Sequence, residues 1–170
     1  IAGRRSFVGN IVVKGLDGKT KYYNDRMVMS PVNQLDTFPY PDNILELDIS
    51  DGDEIIVLHS VGDKVLQFKR NIMYVVNIST SIASEFFVEE RHRYKGCARP
   101  THVTETLDGV FWINSNGAYF YDGSEDIDNL ILNNDEENSQ KRISEKEWSS
   151  FISDNSAVGF NPKSSEIIVV

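Results

Sequence analysis

The sequence predicts a mostly all-β chain of repeated antiparallel units, with one helix inserted near residues 139–152. Three observations carry this expectation. Turn dipeptides alternate with short runs rich in aromatic and β-branched residues, which suit a pleated, half-buried surface. Those runs return at a spacing of about 45 residues, the order of a repeat unit. Only one stretch of the 170 residues carries helical periodicity.

Taken in order, "RSFVGNIVV" (5–13) and "YYNDRMVMS" (22–30) read as two strands around the turn-rich "KGLDGKTK" (14–21). "EIIVLHS" (54–60) is a strand turned by "VGD"; "KVLQFKR" (64–70) is the next, broken at Asn71; "IMYVVNI" (72–78) is a third. "HVTETL" (102–107), "VFWINS" (110–115) and "AYFYD" (118–122) repeat the grammar. Their turns are expected at Asp108-Gly109 and Asn116-Gly117, dipeptides that tolerate the positive φ of tight hairpins. Gly52, Gly62 and Gly123 are expected to set further turns. "AVGFNPKSSEIIVV" (157–170) reads as a strand, a turn and a strand.

The units align by pattern. Phe68 to Ile113 and Tyr74 to Tyr119 are each 45 positions (113 − 68, 119 − 74), and Ile55 to His102 is 47 (102 − 55). A unit of three or four strands at this period matches β-propeller blades, roughly 40 to 50 residues each. A β-meander with regular spacing is the alternative. The units run about 3–50, 51–96 and 97–134, followed by the helical insert at 135–155 and a partial unit at 156–170. At that period the chain supplies about three and a half blades, so it reads as a single domain or a fragment of a larger propeller. Phe68, Tyr74, Phe111, Trp112, Tyr119 and Tyr121 are the expected blade interior, with Gly109 and Gly117 at the turns.

The helical stretch is "DEENSQKRISEKEWSSFISDN" (135–155). Ile143, Trp148, Phe151 and Ile152 are spaced for one apolar face, and Asn138 or Ser139 is placed to cap the start. Lys141 and Glu145 form an attractive i,i+4 pair; Arg142 and Lys146 do not. That face is expected to cover a sheet edge or bottom, with a partner-binding helix as the alternative.

Composition narrows the function classes. The chain is 40% hydrophobic, enough for a real core, and no run of 18 apolar residues exists, so no membrane segment is expected. No apolar leader is visible at "IAGRRSFVGN", and "SSEIIVV" stops inside a strand pattern, so the chain reads as a piece of a longer protein. A formal net charge of −9 argues against general affinity for nucleic acid. Charge is uneven: "RHRYKGCAR" (91–99) is basic, while 47–54 and 122–138 are acidic. These read as solvated loops, or as complementary patches that meet neighbouring subunits.

Chemistry is sparse, and no enzyme activity or cofactor is expected. Cys97 is the only cysteine, which excludes an internal disulfide. His92 and His102 are near it in sequence, yet no supporting third group is evident, so it reads as a small apolar side chain. "DGSEDID" (122–128) alternates oxygen ligands at Asp122, Ser124 and Asp126 but puts Ile127 where a calcium loop needs glycine. No zinc motif, phosphate loop or nucleophile elbow appears. Exposed aromatics would mark a carbohydrate-binding module, with Tyr22, Tyr23, Tyr40 and Tyr94 as candidates. A glycoside hydrolase on the same scaffold would need two converging carboxylates.

Four segments carry a family resemblance: "GRRSFVGN" (3–10), "DRMVMSPVNQLDTFP" (25–39), "DGDEIIVLHSVGDKVLQFKRNIMYVV" (51–76) and "GCARPTHVTETLDGVFWINSNGAYFYDG" (96–123). Their pattern resembles the β-propeller-containing tail proteins of short-tailed bacteriophages, of the tail tubular protein B (tail nozzle) and packaged-DNA stabilisation type. The resemblance implies a non-enzymatic virion component, assembled in the host cytoplasm. Its implied partners are copies of itself in a ring and other phage tail and portal proteins. DNA would pass without specific binding, which an acidic lumen favours by repelling phosphate.

Overall fold

A computed structural model describes residues 1–46, 52–124, 126–131 and 143–170. The chain is mostly β, in four antiparallel sheets with one α-helix. Strands β1 (Phe7–Lys14), β2 (Thr20–Met29) and β3 (Ile44–Leu45) make the first sheet, in that order. β4 (Ile55–Val61), β5 (Lys64–Lys69), β6 (Ile72–Asn77) and β7 (Phe87–Arg93) make the second, a simple meander. β8 (Val103–Glu105), β9 (Val110–Asn114), β10 (Gly117–Tyr121) and β11 (Asp128–Asn129) repeat it. After helix α1 (Glu145–Phe151), β12 (Val158–Asn161) and β13 (Glu166–Val169) form a final hairpin.

The second and third sheets share their register. Leu58 lies opposite Gln67, and Val103 opposite Trp112, both pairs moved by 45 positions (58 to 103, 67 to 112). Gln67–Tyr74 and Phe68–Met73 become Trp112–Tyr119 and Ile113–Ala118 by the same step (67 to 112, 68 to 113). The ladder therefore corrects the 47-residue match of Ile55 with His102: Leu58 is the counterpart of Val103, and His102 ends a 3-10 turn at Pro100–His102. The outer hairpins diverge. Tyr74 pairs with Arg91 but Tyr119 with Asn129, a connection seven positions shorter (17 against 10).

Side chains alternate across a strand, so β5, β6, β9 and β10, buried on both faces, read as near-continuous apolar runs. Three buried layers result. The first holds Met27, Met29 and Leu45 of the first sheet against Ile55, Val65 and Val76 of the second. The second holds Leu66, Phe68, Met73 and Val75 against Val110, Trp112, Tyr119 and Tyr121 of the third. The third holds Phe111, Ile113 and Ala118 against Trp148 and the half-buried Val158, Ile167 and Val169. Val65 and Val110 are register counterparts, and each faces the preceding sheet; Phe68 and Ile113 each face the following one. The sheets thus stack head to tail.

Phe68, Tyr74, Phe111, Trp112, Tyr119 and Tyr121 are all buried. Trp112 lies edge-on to Phe68 at 5.1 Å across the two sheets and stacks on Tyr119 at 5.4 Å. Its indole N–H donates to the Lys95 carbonyl at 2.8 Å, so the ring brings no unpaired polar group into the core. Tyr121 accepts from Lys64 Nζ at 3.1 Å, a second tie between the sheets.

The two turns expected at Asp108-Gly109 and Asn116-Gly117 lie one residue earlier, at Leu107-Asp108 and Ser115-Asn116. A side chain sets each of them. Thr106 Oγ1 accepts the backbone N–H of Asp108 and Gly109, and Asn114 Oδ1 accepts those of Asn116 and Gly117. Neither glycine has positive φ; Gly52, Gly62 and Gly123 do. Gly109 is needed because a Cβ there would meet the Tyr121 carbonyl, whereas at Gly117 a Cβ would meet only side-chain ends, of Asn129 and Tyr119.

The helix is shorter than the expected 139–152. Ser144 is its N-cap, in a reciprocal capping box with Glu147, which fixes the start at Glu145. The expected caps Asn138 and Ser139, with Lys141 and Arg142, lie outside the described residues. Only Trp148 of the expected apolar face is buried; Ile143 and Phe151 are exposed and Ile152 is half-buried. Trp148 donates to the Asn114 carbonyl at 2.8 Å, so α1 covers the face of the third sheet at its turn end.

Replacing Trp112 by Ala removes the largest fully buried side chain. Stability measured by urea unfolding should fall by about 3–5 kcal/mol.

Candidate functional site

The turns at one end of the second and third sheets are built from side-chain hydrogen bonds. Asp53 holds the β5–β6 turn, accepting from the backbone N–H of Arg70 at 3.2 Å and of Asn71 at 2.8 Å. The Asn71 carbonyl then accepts Tyr94 N at 2.7 Å, and the Lys69 carbonyl accepts Cys97 N at 3.0 Å. The Tyr94–Cys97 segment therefore runs close against that turn. Gly96 permits the approach, since a Cβ would collide with the Lys69 carbonyl. From the other side, Asn114 Nδ2 donates to the carbonyls of Tyr94 and Gly96 at 2.9 and 2.8 Å.

A cavity of about 240 Å³ opens among these parts, bounded by Arg70, Asn71, Tyr94, Asn114–Asn116, His102 and the Ile152–Asp154 segment after α1. Tyr94 stands at its rim, 72% exposed, on a backbone held at φ 64°. His102 is 2% exposed, with both ring nitrogens buried and the Ser153 carbonyl the backbone group that acts on the ring. Burial lowers its pKa; the Asp154 charge and the nearby Ser153 carbonyl oppose that shift without reversing it. The imidazole is therefore neutral at pH 7, with one donor and one acceptor nitrogen. Arg70 and Asp154 lie at the edge with partners of their own, Glu54 at 3.4 Å and Arg99 at 3.4 Å.

Arg70 and Asn71 are shared with a shallower concavity beside Tyr22, Asn24, Asp25, Asp53 and Glu54. Its carboxylates serve structure: Asp53 holds the turn, Glu54 meets Arg70, and Asp25 lies 3.7 Å from Arg26. Of the four candidate stacking tyrosines, Tyr22, Tyr40 and Tyr94 are exposed and Tyr23 is half-buried. Tyr23 and Tyr40 are joined through their hydroxyls at 2.9 Å, with Arg26 over the Tyr23 ring. Among the described residues no three His, Cys, Asp or Glu side chains gather as a metal site. Asp122 accepts the Ser124 backbone N–H at 2.8 Å and so caps its own turn, with its pKa lowered first by the Ser124 hydroxyl and then by that backbone contact.

Sequence reasoning missed the cavity because its walls come from four separated segments. Two signals pointed to it: the paired Asn residues of "NSNG" and the histidine two positions after a proline in "RPTHV". No family model, characterised protein or solved structure matches the chain. No helix among the described residues is long and apolar enough to cross a membrane.

Cys97 is buried in the layer between the second and third sheets, and desolvation pushes its thiol pKa up to about 12. The reactive thiolate is absent below that pH. Iodoacetamide at pH 8 should leave Cys97 unmodified in the folded protein and alkylate it fully in denaturant, as read by intact-protein mass spectrometry.

Proposed function

We propose that the chain is a structural segment of a β-propeller-type tail protein of a short-tailed bacteriophage, without catalytic activity. The observation that carries the reading is the head-to-tail stack. Two four-stranded meanders keep one register at a 45-residue step and present the same faces in the same direction. That is the relation between successive propeller blades. The first strands of two neighbouring pairs also approach one another, β1 with β4 and β8 with β12, while between the second and third sheets β4 meets β9.

In this reading the partners are copies of the protein in a ring and other tail and portal proteins. The formal net charge of −9 supports passage of DNA without specific binding, because an acidic wall repels phosphate. The alternation of basic and acidic segments in the sequence suits register between subunits better than it suits nucleic-acid affinity.

Peptide mass spectrometry of purified, intact phage particles tests the proposal. The chain's peptides should appear at a fixed few copies per particle. Their absence from intact particles, with the protein present in infected cells, would overturn it.

A further inference from the structure

We infer that copies of the chain associate head to tail: the outer face of the first sheet, with its β1–β2 ribbon, docks on the outer face of the β12–β13 hairpin of a second copy. The proposed ring names copies as partners without saying which surfaces join them. To that extent the inference rests on the same reading, but its grounds lie in the stack itself.

The polarity of the stack is the first ground. Each internal layer joins the following face of one element to the preceding face of the next. Among the described residues two faces are left over, one of each kind. At one end Met27 and Leu45 of the first sheet pack on the second sheet, so Val8, Val28 and Ile44, directly opposite one another across the three strands, form the outward row. At the other end Ile167 and Val169 pack on the third sheet, so Ile168 and Val170 point away from it, 51% and 68% exposed. A Cβ on Gly159, opposite Ile168, would meet nothing within 4 Å, so that face is open. A second copy set in the same direction brings a preceding face to a following one, the kind of contact the chain already makes within itself.

The ribbon is the second ground. Ile11–Lys14 pair with Thr20–Tyr23, and no third strand joins them among the described residues. The tip is nevertheless ordered. Asp17 accepts the Lys19 backbone N–H at 3.0 Å, and the Gly15 N–H donates to the Lys19 carbonyl at 2.8 Å. Val12 is 56% exposed and Leu16 wholly exposed. A two-stranded ribbon is marginal alone in water, and one that is ordered while its apolar side chains stay bare offers them to a partner.

Charge selects which faces meet. Residues 7–29 carry Lys14, Lys19, Lys21 and Arg26 against Asp17 and Asp25, a net +2 in a chain of −9. Residues 143–170 carry Glu145, Glu147, Asp154 and Glu166 against Lys146 and Lys163, a net −2. Like ends repel and unlike ends attract, which favours a head-to-tail contact over a two-fold symmetric one. Such a contact gives a ring where its rotation closes and a filament where it does not.

Sedimentation velocity on the purified chain tests the inference. The unaltered chain should form species larger than a dimer at concentrations up to about 1 mM. The double variant Val12→Asp, Leu16→Asp blocks the first-sheet face, and Ile168→Asp blocks the hairpin face. Circular dichroism verifies that each variant folds, and Glu166→Lys replaces Ile168→Asp if the latter does not. Each variant alone should be monomeric. Their equimolar mixture should form a dimer and nothing larger, because one intact face of each kind remains. A monomeric unaltered chain, association unchanged in the variants, a dimer of either variant alone, or a mixture that stays monomeric would each overturn the inference. The particle experiment reads virion content and this one reads self-association, so failure of one is distinguishable from failure of the other.

Discussion

The structure depends on burying both faces of its central hairpins at once. β5–β6 and β9–β10 have no solvent face along most of their length, so each must be covered on two sides. Their neighbours exist in that sense to complete them: the first sheet covers β5–β6 on one side, and α1 with β12–β13 covers β9–β10 on the other. Between the two hairpins sits Trp112, in contact with Phe68 from the opposite sheet and Tyr119 from its own. Hydrophobic burial alone would not choose the register. The aromatic geometry, the indole bond to Lys95 and the Lys64–Tyr121 tie fix which residue meets which.

The register-true repeat explains why sequence identity between the units is low while their structure is shared. At equivalent places the first interface has Gln67 opposite Tyr74 with Lys69 over the Tyr74 ring, and the second has Trp112 opposite Tyr119. A polar pairing and an aromatic one occupy the same ladder positions, because strand pairing is a backbone property and tolerates either. The same backbone plan puts both turns, Arg70–Asn71 and Ser115–Asn116, at one end of the stack, where the cavity forms. A site there needs no catalytic constellation. A recess with an aromatic rim can coexist with a scaffold role, since two of its walls are turns of the stacked sheets.

Much of this was legible in the sequence. Alternation and β-branched composition placed the strands of the second and third sheets, and the 45-residue spacing of Phe68–Ile113 and Tyr74–Tyr119 anticipated the register. The displaced turns show the limit of dipeptide rules. Asp-Gly and Asn-Gly suggested positive φ, but Thr106 and Asn114 capped the turns one residue earlier, and Gly109 is required instead by the close approach of the Tyr121 backbone. The helix start was misplaced because Ser139 and Ser144 are both plausible caps, and only Ser144 has a glutamate three residues on to complete a capping box. His102 read as the start of a strand, and its burial follows from contacts that no local pattern encodes.

The most direct test of the central claim is a double-mutant cycle between Phe68→Leu and Trp112→Leu, read by urea unfolding. The two rings come from different sheets and lie 5.1 Å apart, edge to face. The head-to-tail packing predicts a coupling energy of about 0.5–1.5 kcal/mol. Additive effects, within about 0.3 kcal/mol, would show that the rings do not meet and would contradict the stacking of the second sheet on the third.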